Sequence, residues 1–186
     1  VVELFSSQER TINSRLIYKG KILNLRIDRI LLPDGREATR EVVEHAGAVA
    51  VVALDKEENV YLVRQYRYPV QSELLEIPAG ILKPGEAPLA GAQRELAEET
   101  GITAASWCFL FSLYSSPGFS DELLSIFLAR DLQFAAQQPD EDEFIKVAKV
   151  PLREVPGMIA KGDIRDAKSI AGLLAALTQD SFCWRS

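Results

Sequence analysis

An α/β fold, with a mixed sheet held between helices, is what this sequence predicts. Three observations predict it. Short β-branched and apolar runs recur between residues 14 and 150, separated by Gly, Pro and Asn/Asp turns. Residues 88–100 carry helical rather than strand periodicity. Two further helical stretches, 151–161 and 168–179, close the chain.

In chain order, Leu23, Leu25 and Ile27 alternate with polar neighbours, and Pro33-Asp34-Gly35 reads as a hairpin-type turn. Residues 36–43 return as a strand, so a small antiparallel sheet is expected over residues 1–42, with a larger domain over 43–186. Residues 46–54 (AGAVAVVAL) form the kind of apolar run that fills a buried strand. A polar turn at 55–59 leads to a strand at 60–66, which breaks at Tyr68-Pro69, and residues 74–77 run into a Gly/Pro-rich loop. In the helix that follows, Pro88 suits the first turn because its missing N–H would have no intrahelical partner there. Leu89, Ala92 and Leu96 fall at helical spacing and are expected to face a core, and Gly101 suits a left-handed C-terminal cap. Strands at 107–114 and 123–129 flank the loop 115–122, and an acidic loop at 137–143 precedes a strand at 145–150.

Composition narrows the function. The 186 residues suffice for one domain with a sizeable core and a small appendage. No apolar run is long enough to span a bilayer, and no basic start is followed by an apolar stretch, so a cytoplasmic location is expected. The net charge of −6 argues against nucleic acid as the main partner, since such binding rests on clustered Lys and Arg. Cys108 and Cys183 lie far apart outside any CxxC pair and read as inert thiols rather than a disulfide or zinc site. His45 is the single histidine, which excludes two-histidine metal sites, and no GxSxG element accompanies it. The chemistry is left to carboxylates, arginines and a metal.

The 88–100 helix concentrates that chemistry. Glu95, Glu98 and Glu99 place three acids within five positions, and like charges three or four apart repel. Arg94 and Glu98 pair naturally at four residues' separation, whereas Glu95 and Glu99 have no cation at a matching offset. A solvated acidic face is the plain alternative. Hard cations such as Mg²⁺ favour carboxylate oxygens, which makes Glu95 and Glu99 the first choice for metal ligands. The preceding loop, 76–86, holds Gly80 and Gly85, and a sharply turned backbone can aim a carbonyl at a cation.

Gly80, Glu86 and the run Arg94-Glu95-Leu96-Ala97-Glu98-Glu99-Thr100-Gly101-Ile102 match the fixed positions of the Nudix box, and the chain resembles the Nudix hydrolases on that ground. The resemblance implies a Nudix α/β/α sandwich with a mixed sheet. It implies a loop-helix-loop holding Mg²⁺ or Mn²⁺ against a diphosphate. By position, Glu95 and Glu99 bind the metal, Glu98 stands close by as a catalytic group, and Ala79 offers its backbone oxygen. Gly80 and Arg94 hold the loop geometry, with Glu86 pairing Arg94.

Segments outside the box resemble the ADP-ribose pyrophosphatase branch: Arg40-Glu41-Val42-Val43-Glu44-His45, Val63-Arg64-Gln65-Tyr66-Arg67-Tyr68-Pro69, Glu73-Leu74-Leu75-Glu76-Ile77-Pro78-Ala79-Gly80, and Asp140-Glu141-Asp142-Glu143-Phe144-Ile145. Pro117, with Gly118 beside it, lies at the distance downstream of the box that this branch uses. The resemblance implies hydrolysis of ADP-ribose to AMP and ribose 5-phosphate. Arg67 then resembles a phosphate-binding arginine, assisted by Arg64, and Glu122 a contact of the terminal ribose. Arg40 and Glu41 fall near the adenosine end, with a surface ion pair as the equal alternative for Arg40. Glu141 or Glu143 is the general base, and Glu143 a further metal contact. The branch exchanges its N-terminal sheet between two subunits, so a homodimer is expected. Two rivals stand beside this reading: a pyrophosphatase for another nucleotide sugar such as GDP-mannose, and a domain that binds ADP-ribose without hydrolysing it.

Overall fold

The computed structural model describes residues 8–135 and 144–178, and they divide into two compact units. One unit takes the described part of Val1–Ala46 together with Tyr114–Leu123; the other takes Gly47–Leu113 and the described part of Leu124–Ser186.

In the first unit, β1 (Arg10–Lys19), β2 (Leu23–Leu31) and β3 (Glu37–His45) form an antiparallel sheet in that order. Its second hairpin closes where expected. Gly35 sits at φ 86°, a left-handed conformation that glycine adopts without penalty, and its N–H donates to the Leu32 carbonyl. The buried face of β2 differs from the expected one: Asp28 and Ile30 are buried, Leu25 and Ile27 are half-buried, and Leu23 is exposed. Burial of the polar row is made possible by pairing. Arg26 donates to Asp28 at 3.0 Å and to Glu44, and Asn24 donates to Glu44 at 3.4 Å. Burial pushes the Asp28 carboxyl up, but hydrogen bonds from Ser14 and Arg26 outweigh it and hold the group below its usual range.

In the second unit, seven strands form a mixed sheet. Its path runs β10 (Lys146–Pro151), β5 (Asn59–Arg67), β4 (Ala48–Leu54), β9 (Leu123–Phe134), β8 (Ile102–Tyr114). Two short strands, β6 (Ser72–Glu76) and β7 (Ala79–Ile81), pair with β5 and β4. The β4–β9 pairing is parallel, while β4 runs antiparallel to β5 and β7. All of β4 is buried, which is why its sequence shows no alternation. Val49, Val51 and Ala53 point into one core with Ala92 and Leu96 of α1 (Pro88–Thr100). Ala50, Val52 and Leu54 point into another with Val155 of α2 (Val155–Lys161) and Leu173 and Ala176 of α3 (Ala167–Leu177). Helices therefore cover both faces of the sheet, as the sequence predicts.

Three local expectations need correction. Leu89, expected to face the core, is 41% exposed; Ala92 and Leu96 are buried as expected, and Gly91 rather than Leu89 joins their buried stripe. The stretch 151–161 is not helical from its start; β10 ends at Pro151, a single 3₁₀ turn follows, and α2 begins at Val155. Cys108 is disulfide-bonded rather than an inert thiol, and the other cysteine, Cys183, lies outside the described residues. No helix among the described residues is long and apolar enough to cross a membrane.

Candidate active site

The antiparallel pairing of β7 with the start of β4 places Ala79 and Gly80 opposite Ala50 and Val49. After β7 the chain turns through Gly85, at φ 76°, and enters α1 with Pro88 in its first turn and Gly101 as a left-handed cap. Leu96 and Ala92 anchor one side of α1 in the core, which leaves Arg94, Glu95 and Glu98 turned toward the β7 loop.

Arg94 organises this loop. Its Nε and Nη2 donate to both oxygens of Glu86 at 2.8 and 2.9 Å, and Nη1 donates to Glu95 at 2.6 Å and Glu98 at 2.9 Å. Nη2 also donates to the Ile81 carbonyl at 3.3 Å. A guanidinium has five N–H donors, so Arg94 is saturated. The Arg94 hydrogen bond, with help from the Lys83 N–H, holds the Glu86 carboxyl at about 2. Glu86 in turn raises the pKa of Arg94, against the opposing effect of burial. The expectation that Glu95 lacks a nearby cation is therefore corrected: the adjacent Arg94 supplies it, although no offset of three or four residues would reveal the contact.

Gly80 owes its identity to close approach rather than to a positive φ. A Cβ built there would lie 2.0 Å from the Glu95 carboxyl carbon, so only a hydrogen leaves room for that carboxylate. Glu99 is 2% exposed and accepts from the Ala79 N–H at 3.0 Å. Glu95 over Gly80 and Glu99 against Ala79 thus bring two acids to one strand end. Among the described residues, no three acidic, His or Cys side chains converge as a closed metal cage. What the structure brings together is a pair of carboxylates, Glu95 over Gly80 and Glu99 on the Ala79 N–H, with Arg94 as the competing charge at Glu95. Such a pair fits a hard divalent cation.

Arg67, at the end of β5, forms a two-point pair with Glu76, Nε and Nη2 each donating at 2.9 Å. Glu76 is 1% exposed and also receives Lys168. Burial pushes the Glu76 carboxyl up, but the Arg67 hydrogen bond and the Lys168 charge outweigh it and hold it low. Arg64 is exposed on the same strand. Sequence reading did not single out Glu76, Lys168 or Asp166. Lys168 and Glu76 are 92 positions apart, so no short-range spacing could have joined them.

The other expected residues lie in the first unit. Arg40 pairs with Glu9 across the sheet, Nε donating at 3.0 Å, and Glu41 is exposed on β3. The 115–122 loop is tied to β3: Val43 N–H donates to Phe119 at 2.7 Å, Asp121 N–H to Val43 at 3.2 Å, and His45 N–H to the Asp121 carboxylate at 2.9 Å. Pro117 and Gly118 form its exposed tip. Glu122 accepts from Ser115 at 2.5 Å and lies 3.5 Å from His45 Nδ1. Glu141 and Glu143 lie outside the described residues.

The profile of the NUDIX domain matches residues 44–173. The chain belongs to the Nudix family. Residues 9–43 match the nucleoside diphosphate sugar hydrolase N-terminal domain. The ADP-ribose pyrophosphatase of Bacillus subtilis (strain 168) is 40% identical over 166 residues, covering 88% of this chain and 90% of that protein. The methanol dehydrogenase activator of Bacillus methanolicus is 39% identical, covering 88% of this chain and 89% of that protein. A GDP-mannose pyrophosphatase of Citrobacter koseri is 36% identical, covering 70% and 73%. Among solved structures, one described as "Crystal structure of ADP compounds hydrolase" superposes on this Nudix chain with a TM-score of 0.82. It covers 92% of this chain and 93% of its own, and at 23% identity it supports the fold.

Proposed function

We propose that this Nudix hydrolase cleaves the diphosphate of ADP-ribose, giving AMP and ribose 5-phosphate, with Mg²⁺ or Mn²⁺ as cofactor. The observation that carries the reading is the approach of Glu95 and Glu99 to Gly80 and Ala79 at one strand end. The 40% identity to an ADP-ribose pyrophosphatase supports the choice of substrate.

Glu95, Glu99 and the Ala79 carbonyl oxygen would hold the cation, with Glu143 as a further contact and Glu98 beside them. When bound, the cation supplies positive charge at the diphosphate and lowers the pKa of water. Arg67 offers its outer N–H groups to a phosphate, and Arg64 assists from the strand end; a guanidinium fork suits phosphate oxygens. Glu141 or Glu143 accepts the proton of the attacking water as its oxygen bonds to phosphorus and the bridging P–O bond breaks. Arg94 and Glu86 stay paired and keep the loop in shape. Glu122 with Pro117 and Gly118 contacts the terminal ribose, and Arg40 and Glu41 serve the adenosine end. Residues 1–42 are read as a dimerisation region. That reading is supported by a β1 exposed along its whole length, with Ile12, Leu16 and Tyr18 uncovered. Deletion of residues 1–42 should yield a monomeric or aggregating protein with a sharply raised KM for ADP-ribose; a dimeric deletion protein with normal binding refutes the role.

One alternative has its own support: the resemblance to a GDP-mannose pyrophosphatase keeps that nucleotide sugar as the competing substrate. A domain that senses ADP-ribose without cleaving it fits less well, because every box acid is retained. Turnover across a panel of nucleotide sugars with Mg²⁺ and Mn²⁺ decides among the three. The proposal expects ADP-ribose to give the highest kcat/KM, and it fails if GDP-mannose does or if no product forms.

A further inference from the structure

We infer that Lys168 is a positioning residue for the diphosphate site, acting through Glu76 to fix the plane of Arg67. The inference rests on the proposed function, because it assumes that Arg67 meets a phosphate of the substrate.

The first turn of α3 reaches across to the strand that leads into the Nudix box. Asp166 caps the helix, accepting from the Ser169 N–H at 2.9 Å and the Ser169 hydroxyl at 2.6 Å. The Ser169 oxygen in turn accepts from the Ile77 N–H at 2.9 Å, and Ser169 is fully buried. Lys168 is held between two carboxylates, Asp166 at 3.0 Å and Glu76. The residue next to each anchor is therefore fixed as well: Glu76 beside Ile77, Lys168 beside Ser169.

Donor bookkeeping separates the two cations. An ammonium has three N–H donors, and Lys168 directs two at Glu76 and Asp166 while its side chain is only 15% exposed. It has little to offer a substrate. Arg67 uses two of five donors, both on Glu76, and its side chain is 39% exposed. Among the described residues its other three N–H groups have no hydrogen-bond partner, and they lie on the edges that a fork–fork pair leaves outward. A two-point pair orients Arg67 only if Glu76 itself cannot rotate. Arg67 alone would leave the carboxylate free to swing with it. Lys168, rooted through Asp166 and the helix cap, supplies the third point.

The test is a double-mutant cycle on binding, read by calorimetry with ADP-ribose in the presence of a chelator, so that no hydrolysis intervenes. Lys168→Met should weaken binding about tenfold, or ~1.4 kcal/mol. Lys168→Arg, which restores a charge that two carboxylates can hold, should recover most of it. Arg67→Met should weaken binding at least as much as Lys168→Met. The double variant should be no weaker than Arg67→Met alone, since a residue acting through another loses its effect once the other is gone. Additive losses would show that Lys168 touches the substrate directly, and an unchanged affinity in Lys168→Met would show that Glu76 needs no third point; either overturns the inference. If Lys168→Met does not fold, Lys168→Gln is read in the same cycle. Absence of ADP-ribose turnover by the unmodified protein with Mg²⁺ or Mn²⁺ overturns the proposed function instead, which keeps the two failures apart.

Discussion

Arg94 and Arg67 are both arginines paired to a glutamate at two points, yet their surroundings suit them to opposite tasks. Arg94 spends all five donors on Glu86, Glu95, Glu98 and Ile81. It can offer nothing to a ligand, and its work is to hold a loop. Arg67 spends two donors on a buried carboxylate and keeps its outer edge uncommitted among the described residues. Residue type alone does not separate an arginine that is fully committed to a loop from one with donors to spare; the count of committed donors does.

The comparison can be sharpened at the acids around Arg94. Glu99→Gln keeps the Ala79 contact but removes the charge, so turnover should fall by about 10²–10³ while the melting temperature hardly moves. Steady-state kinetics at saturating Mg²⁺ together with a thermal melt check this, and wild-type turnover would remove Glu99 from the site. Gly80→Ala should cost nearly as much, about 10²-fold, because its Cβ takes the space of the Glu95 carboxylate and misplaces it by about 1 Å. A variant with normal kinetics would mean that Glu95 has another place to go.

Stability separates the two arginine sites. Glu76→Gln leaves Arg67 and Lys168 without their shared anion and should lower folding stability by about 3 kcal/mol, read from denaturant titration. Glu86→Gln should shift the midpoint much less, because its partner Arg94 keeps two other carboxylates, Glu95 and Glu98. Equal shifts would contradict the contrast.

The smallest effect concerns acid. Glu86 is held at about 2 mainly by Arg94, and Asp55 at about 2 because hydrogen bonds from Lys149 and Asn59 outweigh its burial. Both values are depressed, so the stability that these groups contribute is complete above the unfolded value of about 4. It should be lost as pH falls from about 4 toward 2. Asp55→Asn should flatten that part of the stability–pH curve, whereas an unaltered curve would mean that other carboxylates set it.

The sequence disclosed what is local. Pro88, Gly101, Ala92 and Leu96 mark α1, and Glu86, Arg94 and the three acids fall within fourteen residues, close enough for their spacing to reveal the loop-helix arrangement. The two-sided core was legible too, since an unbroken apolar β4 needs cover on both faces. What could not be read depends on distant partners. Lys168 and Ser169 each meet the strand leading into the box across 92 positions. The buried row of β2 was misread because apolar alternation pointed to Leu23, Leu25 and Ile27. Burying Asp28 depends on Arg26 and Ser14, a pairing that hydropathy does not register. Arg94's bond to Glu95 escaped for another reason: adjacent residues point apart on a helix surface, but a long guanidinium can turn back.

The central claim is that the Glu95–Glu99 strand end cleaves a diphosphate linking adenosine to ribose. The most direct test is product analysis after incubation of the purified protein with ADP-ribose in H₂¹⁸O, with Mg²⁺ or Mn²⁺ and with a chelator. AMP and ribose 5-phosphate should form in equal amounts, one of them carrying a single ¹⁸O on phosphorus, and the chelator should stop the reaction. Intact ADP-ribose in the presence of metal, or label appearing on carbon, would contradict it.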